Sequence, residues 1–464
     1  MFDFPAWMDE VHIVEMGQNI LDGGSCSILM QPDESIVRPF YYLGPVLQEL
    51  CFRAFGVFGP RLSSLLGLLA MTAAFHWFLK RSDRYSKHTI TLSCLVAFSL
   101  PLLIQSVRQV RVDCWVLAAG FLIGGLLVRN RIHAAAAVAA ITPFLWPSAI
   151  LLFPFYLAVH FERKGKVKEL LTPAVVFFFV LAICTVPILN ILTETISAFV
   201  GYYTGVGHSA VGTSTFSVGH LVQSNLVLLV KEGLRAPLFS ILAAIGLGLS
   251  CLQRKTLVAM FILSWILALA SGMHTFRFIY LTPFLLVFAA ETLNRKIRHT
   301  NAIALLAIMT GCIGFWTILG PHSHAAPNLV QLLGESPRTI FCPGYSTYYT
   351  LRQHGYQQIA IGDASGYADT NRVAKLLGKC DAVLIEHEDQ YVPIEESLTL
   401  YGLLRNHCLS AARQESTLTQ KSLPARIGEA FAYGSRPDMS ELIATKGFHL
   451  TRQATPFALY TRTA

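Results

Sequence analysis

Four stretches of the chain bring ionisable residues to positions where chemistry could be done: Asp9-Glu10, Arg38-Pro39, Arg108 with Asp113, and Arg277 with Tyr280. Arginine is planar and always charged, and it grips a phosphate through paired N–H groups. A carboxylate within reach can take the proton of a hydroxyl as its oxygen attacks, an effect of about 10²–10⁴ in rate. Together these groups suit transfer of a group from a phosphate to a hydroxyl, with the arginines stabilising the charge that gathers on the departing phosphate. Each residue also has a plainer reading. Asp9 suits a helix N-cap, with Glu10 beside the positive end of the helix dipole. Arg111, at a helix end, suits snorkelling to the headgroups. Arg108 and Asp113 suit a structural salt bridge, because their spacing puts both on one flank of a helix end. For Arg277, between His274 and Pro283, snorkelling and phosphate binding are evenly balanced.

The elements that must position these groups are mostly membrane helices. Of 464 residues, 53% are hydrophobic and only 14% charged, and the mean hydropathy is +0.50. A soluble domain carries roughly 25% charged residues, so this chain has too little polar surface to be wrapped in water throughout. Apolar runs predict spans at about 62–79, 89–106, 114–128, 172–192, 237–251, 257–270, 276–291 and 302–319. Two shorter runs, 133–145 and 148–160, flank Trp146-Pro147 and read as a helical hairpin with its tip at the outer face. Residues 1–40 read as polar and loop-like beyond the short helix at Asp9, and 41–59 as an interfacial helix. The net charge of +8 lies in short Lys/Arg clusters between the spans, which is positive-inside patterning and argues against a nucleic-acid partner. Those clusters, at 80–87, 129–131, 163–168, 254–255 and 295–298, are assigned to the cytoplasm. The opposite face then collects the Asp9 loop, Arg108–Asp113, the 193–236 loop, the turn before Arg277 and everything after Gly320.

Past about residue 320 the pattern changes to short buried strands near 339–342, 358–361 and 381–385, with helical stretches at 346–354 and 371–378. The expected fold is therefore mainly α: a polytopic transmembrane helical domain over 1–320, then an extracytoplasmic α/β domain over 321–464. Cys342, Cys380 and Cys408 would lie in an oxidising space, where one pair could bond. No cofactor is assigned with certainty. A divalent metal is kept open, with His208 and His220 in the outer loop as weak candidate ligands, since no third ligand stands near them. Tyr345, Tyr348 and Tyr349 read either as sugar-stacking residues or as core.

The segments Asp9-Glu10-x-His12, Arg38-Pro39-Phe40-Tyr41-Tyr42, Gly59-Pro60-Arg61-Leu62, Arg108-x-x-x-x-Asp113 and Arg277-x-x-Tyr280-x-x-Pro283 occur in this order. Over about residues 7–290 the chain resembles the C-type integral-membrane glycosyltransferases, specifically the protein O-mannosyltransferase and aminoarabinose (lipid A) transferase branch. The resemblance implies an inverting transfer of sugar from a polyprenyl-phosphate donor to a hydroxyl of an acceptor lipid, glycan or protein at the extracytoplasmic face of a cell membrane, a bacterial inner membrane by this reading. It implies Asp9, paired with Glu10, as the catalytic carboxylate, Arg38, Arg108 and Arg277 as donor-phosphate contacts, and Asp113 and Tyr280 as supporting residues. Two departures bear on it. The family has a transmembrane helix ahead of the Asp-Glu loop, which this reading expects to be missing here. A glutamate that helps bind a metal directly precedes the basic-proline pair in the lipid A branch, and Val37 stands there instead. The competing reading is a polytopic lipid-glycan transporter or flippase, and a third is a non-catalytic assembly protein. Against the transporter stand the absence of a repeat and the gathering of charge at one interface.

Overall fold

In a computed structural model the described residues are 8–23, 30, 41–163, 165–193, 196, 228–270, 275–295, 300–319, 326–333, 339–343, 345, 347–361, 369–386, 440–454 and 457–462, with isolated positions between 403 and 424. The chain is mainly helical, with a small mixed sheet near its C-terminus. It forms two compact units: one combines 1–15, 27–36 and 319–464, the other 16–26 and 37–318.

The larger unit is the helical one. Its helices are α2 (Leu43–Phe55), α3 (Phe58–Arg81), α4 (Lys87–Phe98), α5 (Pro101–Arg108), α6 (Asp113–Val128), α7 (Ile132–Leu145), α8 (Phe153–Glu162) and α9 (Leu171–Thr185). There follow α10 (Leu228–Arg235), α11 (Pro237–Gln253), α12 (Lys255–Ala270), α13 (Thr275–Phe278), α14 (Thr282–Leu293) and α15 (Thr300–Leu319). Helices α3 and the stretch Val167–Leu189 are long and apolar enough to cross a membrane, and two bent pairs, α4 with α5 and α10 with α11, qualify when each pair is taken together. This is a multi-pass membrane protein. On α9, Leu171, Val175, Phe178, Phe179 and Ile183 are exposed, as lipid-facing side chains are.

Two expected spans and the expected hairpin are interrupted where the backbone chemistry requires it. The run 89–106 bends by 47° before Pro101, which has no N–H to continue α4 and instead starts α5. The hairpin of 133–160 breaks at Trp146-Pro147 as expected, continuing as a 3₁₀ turn, Pro147–Leu152, before α8. The run 276–291 is not one helix: a 3₁₀ turn, Ile279–Leu281, separates α13 from α14 just ahead of Pro283. In α2 the polar Gln48 and Glu49 are buried while Leu50 and Phe55 are exposed, an inverted face that suits a helix against lipid.

Close packing holds the unit together through small residues, as membrane helices do. Helix α3 packs on α6, and a Cβ at Gly125 would lie 2.0 Å from the Trp77 ring. Helix α11 packs on α14 at Gly246, where a Cβ would meet the Phe288 carbonyl oxygen at 1.7 Å; at Gly248 it would meet nothing within 4 Å. The Gly246/Gly248 pair thus includes one enforced contact between helix backbones. Gly246→Ala should force α11 off α14 and lower the thermal midpoint of the detergent-solubilised protein by several degrees. Gly248→Ala should leave it unchanged or slightly raised, because Ala is the better helix former. Paired melting curves check this, and equal effects would contradict it.

In the smaller unit, α16 (Ala326–Leu332), α17 (Tyr348–Gln353), α18 (Thr370–Leu377) and α19 (Ser440–Thr445) surround a five-stranded sheet of order β2-β1-β3-β5-β4. The strands are β1 (Thr339–Phe341), β2 (Gln357–Ile359), β3 (Ala382–Glu386), β4 (Phe448–Ala454) and β5 (Phe457–Arg462). The first three are parallel and linked through α17 and α18, as the strand–helix alternation predicts. The antiparallel pair β4–β5, which adds to β3, was not anticipated. Alternation along the strands sends Ile340, Ala382 and Leu384 into one apolar cluster and Phe341 and Val383 into another. Cys342, Cys380 and Cys408 are all free, so the pairing left open from sequence is not made. Cys342 lies beside the Thr347 hydroxyl and the Cys380 thiol donates to the Leu376 carbonyl, two different settings in the sheet unit. Burial also pushes the Cys380 thiol up to about 12, which keeps it protonated and unreactive.

Candidate functional site

Helix α1 (Met8–Gly23) carries the acidic pair and is 16 residues long, where sequence suggested a short helix within a loop. It starts at Met8, so Asp9 falls within its first turn and does not precede it as a cap. The carboxylate of Glu10, paired with Asp9 from sequence as catalytic, is fully buried, and its Oε1 accepts a 2.8 Å hydrogen bond from the Tyr349 hydroxyl of α17. That placement suits holding the helix and does not suit meeting a substrate. Tyr348 and Tyr349 are themselves buried, while the ring of Tyr345 meets that of His12 edge-on at 5.5 Å. Tyr345 and Tyr349 therefore hold the first turns of α1 within the sheet unit.

Glu15, one turn further along, is buried and accepts from the Met30 N–H at 2.9 Å; the Met30 carbonyl in turn accepts from Ala360 N–H beside β2. Burial raises the Glu15 carboxyl from about 4.5 to about 8, against the lowering effects of the Met30 hydrogen bond and of Arg352. The folded protein therefore holds a proton here that the unfolded chain releases above about 4.5. The stability this confers is fully present below about 4.5 and is lost as pH rises through about 8. Thermal midpoints should fall across that window, and Glu15→Gln, which keeps an acceptor for Met30 but cannot ionise, should flatten the fall. An unchanged slope in the variant would contradict the assignment.

In the helical unit the structured centre is the turn between α5 and α6. Helix α5 ends at Arg108; Val110 N–H returns to the Val107 carbonyl and Arg111 N–H to the Ser106 carbonyl, the two bonds of a Schellman cap. Val110 takes the left-handed position normally filled by glycine, with φ of 55°. A β-branched residue there costs on the order of 1–3 kcal/mol and persists only where its surroundings enforce it. Those surroundings are visible: Gln48 of α2 donates to the Val110 carbonyl at 3.2 Å, and Ser64 of α3 donates to the Arg111 carbonyl at 3.2 Å.

The turn delivers Arg111 onto Asp113, the first residue of α6, with Nε to Oδ2 at 2.6 Å and both side chains buried. Asp113 also accepts from the Tyr280 hydroxyl through Oδ1 and from Ser106 at 3.4 Å. Two of the sequence-selected residues, Asp113 and Tyr280, thus meet across 167 positions. The partner expected for Asp113 is corrected: it is Arg111, not Arg108, because the helix ends at Arg108 and the turn breaks the helical register on which a shared flank depends. Arg111 does not snorkel. It is 5% exposed, and its guanidinium lies 5.2 Å from the Trp146 ring, which packs on Tyr41 at 4.7 Å.

Arg108 and Arg277 are both buried in this unit, at 8% and 3% exposure. A buried arginine in a membrane helix is costly unless it is paired or lines a polar cavity. Arg61 of α3, at 1%, is a third that the sequence motifs contained but to which no role was given. Arg235 of α10 is also buried, bonded to Glu232 at 3.2 Å and to Gln105 of α5 at 2.5 Å. The side chain of Asp9, and Arg38, His208 and His220 altogether, lie outside the described residues. Among the described residues no group of three or more His, Cys, Asp or Glu is placed to hold a metal ion.

No family model and no curated protein matches the sequence. Solved structures do match. ArnT from Cupriavidus metallidurans bound to undecaprenyl phosphate aligns over 100% of this chain and 95% of its own, with a TM-score of 0.59 and 10% sequence identity. The chain has the ArnT fold. The same protein in its apo state aligns over 99% of this chain and 94% of its own, with a TM-score of 0.42 and 11% identity. The fold resemblance expected from the motifs at 7–290 therefore extends through the C-terminal sheet.

Proposed function

We propose that this protein is a membrane glycosyltransferase that moves a sugar from a polyprenyl-phosphate donor to an acceptor hydroxyl on the extracytoplasmic face. The observation that carries the reading is the whole-chain likeness to ArnT bound to undecaprenyl phosphate. It is supported by the buried arginines Arg108 and Arg277, which are difficult to explain in a purely apolar bundle.

In this reading Asp9 takes the proton of the acceptor hydroxyl as its oxygen attacks the anomeric carbon from the side opposite the phosphate. The glycosidic C–O bond forms, the C–O bond to phosphate breaks, and the configuration inverts. Arg38, Arg108 and Arg277 hold the phosphate and stabilise the charge it gains on leaving as polyprenyl phosphate. Glu10 positions α1 through Tyr349, and Asp113, Arg111 and Tyr280 set the backbone turn that follows Arg108. His208 and His220 stand as the candidate ligands of a divalent cation, which a chelator titration of the transfer reaction tests. The basic clusters between helices support a cytoplasmic location for the opposite ends of the spans.

A transporter or flippase is the second reading, favoured by the two bent helix pairs, at 47° and 114°. Proteoliposomes loaded with a labelled polyprenyl-phosphate sugar separate the two. Transfer releases free polyprenyl phosphate in proportion to glycosylated acceptor. Transport moves the donor intact between leaflets with no such release, and that result would overturn the proposal.

A further inference from the structure

A second charged cluster lies at the far end of α6. Asp113 and Val128 are the two ends of that helix, so at about 1.5 Å per residue they stand roughly 22 Å apart. Around Val128 the ends of α3, α6 and α8 and the junction of α11 with α12 form a half-open cavity of about 300 Å³. Its apolar floor is Phe78, Val128 and Val159. One wall is Arg254, whose guanidinium is occupied by Glu162 at 2.8 Å and by Glu291 at 2.6 Å, with Tyr85 bonded to both Arg254 and Glu291. Arg254 is therefore a fixed post tying helix ends together, with no charge left to offer a ligand.

The remaining cations of the lining are Arg84 and Arg163. Both are exposed; Arg163 gives one N–H to the Leu127 carbonyl at 2.8 Å, and the Arg84 side chain has no bonding partner among the described residues. An apolar floor under a cationic rim, at the basic end of the membrane helices, is complementary in charge and polarity to one occupant. We infer that this cavity binds the phosphate headgroup of an anionic phospholipid, with Arg84 and Arg163 on the phosphate and the start of the acyl chains on Phe78, Val128 and Val159. The site is separate from the proposed transfer chemistry, and its test does not require transfer activity. A lipid seated here would brace the loop 82–86, which joins α3 to α4, and Arg163 at the end of α8.

The full chain is reconstituted in nanodiscs of phosphatidylcholine doped with phosphatidylglycerol, released into mild detergent, and weighed by native mass spectrometry. The expected result is retention of about one phosphatidylglycerol per protein in preference to phosphatidylcholine. Each basic residue near a membrane surface contributes about fivefold, so Arg84→Gln with Arg163→Gln should weaken retention by about 25-fold. Lys166→Gln with Lys168→Gln, which leaves the lining intact, should retain the lipid; melting curves confirm that each variant is folded. Equal retention of both lipids, equal loss in the two double variants, or displacement by inorganic phosphate alone would overturn the inference.

Discussion

Asp9→Asn protein inserts and folds as the parent does but transfers sugar about 10²–10⁴-fold more slowly, the range expected for losing a positioned general base. The amide is nearly the same size as the carboxylate and keeps an acceptor in the first turn of α1, so helix placement survives while the proton acceptor does not. Glu10→Gln is the informative neighbour. It leaves an oxygen for the Tyr349 hydroxyl and should retain most activity, whereas Tyr349→Phe should lower stability by about 1 kcal/mol through the lost hydrogen bond. If Glu10→Gln were as damaging as Asp9→Asn, the division into one catalytic and one positioning carboxylate would be wrong. A flippase would move donor at the parental rate with Asn at position 9.

The second large effect concerns stability. Asp113→Ala removes the carboxylate that meets Arg111, Tyr280 and Ser106 at once, leaving the Arg111 charge in a buried site without it. Removing one partner of a buried ion pair costs about 3–5 kcal/mol, while replacing both partners by apolar groups is often nearly neutral. At about 2 °C per kcal/mol for a unit of this size, the single variant should melt about 6–10 °C lower. Arg111→Met combined with Asp113→Leu should recover much of that loss. The backbone turn after Arg108 would keep its own cap and the bonds from Gln48 and Ser64 but lose the tie to Tyr280, so the recovered stability should not bring recovered activity. A double variant as unstable as the single one would contradict the pairing.

Much of the helical unit was legible because the physical signal is local. Apolar runs punctuated by Lys80–Lys87, Arg129–Arg131 and Arg163–Lys168 place α3, α6 and α8 to within a few residues. The parallel strands β1 to β3 were legible for the same reason, as short β-branched and apolar runs between helical stretches. What failed depended on geometry that composition does not encode. The Schellman turn after α5 carries Val110 where a glycine would have announced it, so Arg108 and Asp113 were read on one helical face and Arg111 was left to the headgroups. Strand β4 mixes polar residues through its length, and β5 offers only the three-residue buried run Phe457–Leu459, too short to mark a strand by itself. Glu10 and Tyr349 are 339 positions apart, and nothing near either residue marks the other. Trp146 was visible only as the tip of a hairpin; its place over Arg111 is a tertiary fact.

The most direct test of the proposed chemistry is an experimental structure of the protein with a polyprenyl phosphate bound in the membrane unit. The account predicts the phosphate oxygens within about 3 Å of the guanidinium of Arg108 or Arg277, the range of a charge-assisted hydrogen bond. A lipid phosphate seated elsewhere, with both guanidinium groups occupied by protein carboxylates or carbonyls, would contradict it.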